Sequence, residues 1–260
     1  MTLSEIQSKI KNAPALDFGD IFNKSIELFK KSWLYGFLME LFILIISIPF
    51  IIVLYAPLVA SLLAQSKTGQ IDPDTFSSFF AGFTIFYLVI FFLGILAAAV
   101  FQLAIRAGFF RVLKSIDQGK EVKISDLFYF LKGKYFGSVT LLMLATILIS
   151  AIAALLCYVP LIYAIIPLSF LPLVYAFYPE MSIGDIVQIS FSLGTKKWLI
   201  SFGLLIVSYL LVALLTLLTC GIGSIFVSFF IYLPVYVVYK EVIGFDFSDE
   251  LDAIGQQEEF

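Results

Sequence analysis

Three long stretches of this chain, residues 75 to 105, 135 to 179 and 198 to 239, contain no Asp, Glu, Lys or Arg. A water-soluble domain has to spread charge over its outer surface, so segments this long without any require an apolar surround. Composition agrees, with 61% apolar and 13% charged residues, and an integral membrane protein is expected. A helix needs about 20 apolar residues to cross the hydrocarbon core of a bilayer. The stretch 135 to 179 is roughly twice that and holds a turn-like "CYVP" at 157 to 160, so it divides into two crossings. The stretch 198 to 239 divides likewise at "CGIGS", residues 220 to 224. One span from Leu34 to about Ala60, interrupted by Glu40, Pro49 and Pro57, and another from Phe79 to Ile105 complete the set. The expected fold is all-α and polytopic, with six transmembrane helices.

Lysine and arginine in the connections set the orientation. With the N-terminus inside, 15 of the 16 basic residues fall on the cytoplasmic side and Lys67 alone falls outside. Both termini are therefore expected in the cytoplasm, the only sizeable outer loop being about Gln65 to Ser78. The opening "MTLSEIQSKIKNAPALDF" mixes acids with lysines and lacks an early apolar run, unlike a cleavable signal. The first span is expected to direct its own insertion.

Polar segments between these spans repeat. "DFGDIFNKSIELFKKSWLYGF" (17 to 37) and "SIGDIVQISFSLGTKKWLISF" (182 to 202) share nine of 21 aligned positions, among them Ile21/Ile186, Ser25/Ser190, Leu28/Leu193 and Trp33/Trp198. At about 100° per residue, both copies place apolar residues on one arc and charged residues on the other. A looser third copy, "ISDLFYFLKGKYF" (124 to 136), puts Asp126 in the position of Asp20. Each copy precedes a helical hairpin, so the chain is expected to comprise a cytoplasmic segment 1–16, a membrane domain 17–244 and an acidic cytoplasmic tail 245–260. The units run about 17–117, 122–180 and 182–244. Such helices are expected to lie flat at the cytoplasmic interface with Lys30, Lys31, Lys196 and Lys197 toward the headgroups. Trp33 and Trp198 are then expected to mark the bend into the bilayer.

The entry helices, together with "YPEMSIGDIVQISFSLGTKKWLISF", "CGIGS" and "YLPVYVVYKEVIG", resemble the bacterial six-span family related to the membrane domain of glycerophosphodiester phosphodiesterase and its relatives of unknown function. The resemblance covers about Asp17 to Gly244. It implies the six-span fold and no catalytic residue, because in that enzyme the chemistry belongs to a separate soluble barrel.

Side chains suited to chemistry are few. The absence of histidine, with only Cys157 and Cys220 as thiols, leaves almost nothing to ligate zinc, haem or iron, and no imidazole base for a triad. No metal and no cofactor are expected, and no basic face for nucleic acid emerges. Asp20 and Asp185 stand three residues after Asp17 and Ser182, the spacing of helix-start capping. Glu40 is the one acid within a span, and intramembrane carboxylates mark function or buried pairs. With Gln102 and Arg106 near the same inner end of the next span, it is expected to form either a structural pair or a proton- or substrate-binding site. Glu180 and Glu241 are expected at the interface, facing Arg106 or Arg111. Pro160, Pro167 and Pro172 are expected to kink the fourth span, and the two cysteines to be small apolar residues beside outer turns.

The leading expectation is a non-enzymatic module of the inner (cytoplasmic) membrane. It would act as a scaffold or accessory whose basic inner surface engages membrane lipids, anionic headgroups among them, or a protein partner. The alternative is a transporter or flippase for a lipid or hydrophobic small molecule, using Glu40, Gln102 and Arg106. An intramembrane enzyme ranks last.

Overall fold

The computed structural model describes residues 1–68, 85–156 and 159–245. Most of the expected outer loop, Cys157 and the tail after Phe245 lie outside the described residues. A short helix α1 (Leu3–Lys11) opens the chain behind a Thr2–Glu5 capping box. There follow α2 (Phe18–Thr68), α3 (Ile85–Asp117), a 3₁₀ segment Ile124–Leu131, α4 (Gly133–Leu155) and α5 (Val159–Phe177). The last unit comprises α6 (Ile183–Lys196), α7 (Trp198–Leu218), a single turn α8 (Ser224–Val227), a 3₁₀ turn Ser228–Ile231 and α9 (Tyr232–Val242). Six segments are long and apolar enough to cross a membrane, and the described residues include no strand.

Burial separates perimeter from centre. In the most apolar window of α2 only 6% of residues are buried, against 50% in α5 and 56% in the sixth crossing, Ser224–Val242. Leu148, Leu210 and Ile52, all more than 60% exposed, display a continuous greasy exterior suited to acyl chains. The centre is densest at the end where the basic residues gather, around Phe109, Phe170, Tyr175 and Tyr236, each fully buried.

Three of the repeated positions are buried in both copies. Ile21, Ser25 and Leu28 on α2 and their counterparts Ile186, Ser190 and Leu193 on α6 are all buried. Even a hydrogen bond repeats: the Ser25 hydroxyl donates to the Ile21 carbonyl and the Ser190 hydroxyl to the Ile186 carbonyl, each at 2.8 Å. In the third copy Leu127 and Phe130 are buried, with Leu127 in the Ile21 position. The expectation that these apolar arcs rest on lipid is therefore corrected, since protein covers them. Phe22 and Phe29 pack on Phe230, while α6 runs back along α5, Gly194 meeting Pro167 near one end and the Tyr178–Ser182 turn joining the other.

The entry helices also differ in how they join their spans. No bend occurs at Trp33: α2 is one helix of 51 residues, about 75 Å at 1.5 Å per residue. Ser32, buried, donates to the Leu28 carbonyl at 2.8 Å and the ladder runs on. At the matching position Lys197 (φ −111, ψ 23) breaks the chain into α6 and α7, and its ammonium reaches the Pro14 carbonyl. The expected capping holds at both sites, Asp17 accepting from the Asp20 amide at 2.8 Å and Ser182 from the Asp185 amide at 3.1 Å.

A further expectation changes. Glu180 pairs with Lys134 and Glu241 with Lys24, both at 2.8 Å, so neither faces Arg106 or Arg111. The interrupted crossing is the sixth, while α5 stays helical through Pro167 and Pro172. Pro167 removes the amide that would have bonded the Tyr163 carbonyl one turn back. The indole of Trp198 takes its place, donating Nε1–H to that oxygen at 3.1 Å.

Candidate functional site

An open cavity of about 450 Å³ lies where α3, α4, α5, α7 and α9 meet. Most of its wall is aliphatic, as the charge-free spans require. Its one formal charge is Arg106, with Gln102 a turn earlier on α3; Thr146 and Ser150 of α4 and Ser169 of α5 supply hydroxyls. Ile165 (47% exposed) and Tyr209 (56% exposed) belong to the lining, so the cavity opens to the surface beside these apolar side chains.

The sequence grouped Glu40, Gln102 and Arg106, and the fold brings two of them to this wall. Gln102 Nε2 donates to Ser47 Oγ at 3.5 Å, and Arg106 Nη2 donates to Gln102 Oε1 at 3.5 Å, a long chain of contacts joining α2 to α3. The guanidinium stands 5.6 Å from the Tyr232 ring centre, and its buried Nε–H finds no acceptor among the described residues. Glu40 is half-buried and is not part of the lining. Its carboxylate feels the Arg106 charge, yet no ion pair within 4 Å joins the two among the described residues. A cation with unspent donors in an apolar wall attracts a negative group that arrives with its own hydrocarbon.

Lys30, Lys31 and Lys196 are exposed, and Trp33 is 51% exposed. Lys197 instead is buried beneath the N-terminal segment, and Trp198 is occupied with the Tyr163 carbonyl. Thr146, Ser150 and Ser169 went unnoticed in the sequence. The signal was there: two hydroxyls at i, i+4 on an otherwise aliphatic span share a face.

Fold and cavity together define a polytopic all-α integral membrane protein with an inter-helix chamber. No family model, no curated protein and no solved structure matches this chain.

Proposed function

We propose that the protein binds an anionic amphiphile, a membrane lipid or lipid-like molecule, in the chamber and moves it between the bilayer and the inner face. The observation that carries this reading is Arg106, the only formal charge on an aliphatic chamber of about 450 Å³ that opens beside apolar side chains. A headgroup anion gives the guanidinium its missing acceptor while acyl chains leave past Ile165 and Tyr209. The reading is non-enzymatic, and the family resemblance of the entry helices belongs with it. It places the termini in the cytoplasm and the chain in a bacterial inner membrane, following the lysine distribution. Burial of the entry helices' apolar faces favours this role over a scaffold that docks on lipid through them.

The test is retention. Protein purified in mild detergent should carry acidic lipid detectable by mass spectrometry of the extract, and Arg106→Gln should reduce it about tenfold, since a charged hydrogen bond contributes about 1.5–3 kcal/mol. Reconstituted protein should also speed the exchange of a fluorescent acidic lipid between leaflets. Equal acidic-lipid content in Arg106→Gln and the parent chain would sink the proposal.

A further inference from the structure

We propose that the chamber selects a lipid whose phosphodiester bears an uncharged, hydroxyl-rich head, of the phosphatidylglycerol type, over heads that lack hydroxyls or carry a cation. This inference rests on the binding of an anionic amphiphile at Arg106 proposed above and names its class.

The selectivity arises from how α4 and α5 use their own hydrogen bonds. A hydroxyl has one proton to give and two lone pairs with which to receive. In apolar surroundings an unshared O–H is costly, and a helical serine or threonine commits it to a carbonyl one turn back. The Thr146 hydroxyl donates to the Leu142 carbonyl at 2.8 Å, and the Ser169 hydroxyl to that of Ile166 at 2.7 Å. Both residues line the chamber, and with their protons committed they can only accept there.

Pro172 adds a third acceptor. Lacking an amide, it leaves the Leu168 carbonyl without its partner one turn on, and Leu168 and Pro172 both line the chamber. Pro167 does the same to Tyr163, but there the Trp198 indole takes the vacant place. No side chain does so at Leu168 among the described residues. The α3 wall has the opposite character. Arg106 has no acceptor for its buried Nε–H, and Gln102 turns its oxygen toward Arg106. The hydroxyls of Ser150, Tyr209 and Tyr232 can give or receive, so they do not discriminate.

Donors on one wall and acceptors on the others call for an anion with O–H groups beyond it. A glycerol head on a phosphodiester supplies both. Its phosphate oxygens face Arg106, and its hydroxyls donate to Thr146, Ser169 and the Leu168 carbonyl. An ethanolamine head also donates, but its ammonium would enter a lining that holds one guanidinium and no carboxylate.

The experiment is native mass spectrometry of the detergent-purified full chain with phosphatidylglycerol, phosphatidylpropanol and phosphatidylethanolamine of identical acyl chains. Phosphatidylpropanol keeps the phosphodiester and lacks the hydroxyls, so its ratio to phosphatidylglycerol isolates the acceptors. The parent should bind phosphatidylglycerol about tenfold more tightly than either of the others. Thr146→Val removes one acceptor, and Pro172→Ala returns an amide to the Leu168 carbonyl. Each should lower the phosphatidylglycerol-to-phosphatidylpropanol ratio about threefold while phosphatidylpropanol binding stays unmoved. Because the ratio is taken within one sample, partial misfolding of a variant does not imitate the effect. A parent ratio near one, a ratio unchanged in both variants, or phosphatidylethanolamine bound as tightly as phosphatidylglycerol overturns the inference. Should Arg106→Gln then still weaken both anionic lipids, the anion site stands without the selectivity; should it weaken neither, both readings fall together.

Discussion

The bond between Trp198 and the Tyr163 carbonyl makes a quantitative prediction. Pro167 leaves that oxygen without its helical partner, and the indole N–H replaces it at 3.1 Å. Trp198→Phe keeps a ring stacked on Phe202, now 4.7 Å away, but deletes the donor. The bond lies at the surface, Tyr163 being 40% exposed, so deleting the donor should cost about 0.5–1.5 kcal/mol, the net worth of one hydrogen bond, and the loss of indole area adds to this. Trp33→Phe removes the equivalent residue of the first unit, which is 51% exposed and makes no such bond, so its cost should stay below about 0.5 kcal/mol. The sharper test is a double-mutant cycle. In a Pro167→Ala background residue 167 regains its amide, the helix can bond the Tyr163 oxygen by itself, and Trp198→Phe should become nearly harmless. The coupling between the two positions should therefore reach about 0.5–1.5 kcal/mol, outside the additivity expected of independent sites. Thermal unfolding in one detergent, followed by far-UV circular dichroism, gives the ranking without assuming a two-state transition. Additive behaviour, or Trp33→Phe as costly as Trp198→Phe, would refute the account.

Other outcomes test the packing. A Cβ on Gly194 would stand 2.6 Å from the Pro167 Cα, so Gly194→Ala should force α6 off α5 and destabilise by about 1–3 kcal/mol. Gly184→Ala, with its nearest neighbour at 3.7 Å, should be neutral or stabilising by up to about 1 kcal/mol in the same melts; the reverse order would contradict the packing. Leu193→Ala, at a fully buried repeat position, should cost about 2–5 kcal/mol, whereas Leu199→Ala, 79% exposed, should change lipid contact and leave the melting temperature nearly unmoved. Burial, and next the charge of Lys196, hold the Lys197 amine below the usual lysine value of 10.5. Between the lowered value and 10.5 the unfolded chain binds more protons, so this group adds stability as pH rises through that window and withdraws it as pH falls. Melts from pH 7 upward should show the parent gaining on Lys197→Met, and a constant gap would exclude the effect.

The six crossings and the residues that repeat were legible because both are one-dimensional signals, a run without charge and a match at fixed offset. Local caps were equally legible: Ser182 and Asp185 sit three residues apart and bond each other. The continuity of α2 past Trp33 was not, because the two copies differ at Ser32 and Lys197, among other positions, and only the latter meets a carbonyl from the distant N-terminal segment. Partners of Glu180 and Glu241 were misjudged for the same reason, since Lys134 and Lys24 come into range only once the helices pack. Half of the chamber could be read, Gln102 and Arg106 being polar residues one turn apart. Its walls could not, because they come from five helices and a 3₁₀ turn whose contacts no periodicity encodes.

Two sister segments are thus tied into the molecule differently. The first passes into its span as one helix of 51 residues, about 75 Å long, so its buried base and its far tip belong to the same element. The other ends at Lys197, where α7 begins anew, and its attachment there draws on a carbonyl from the N-terminal segment that the first has no need of.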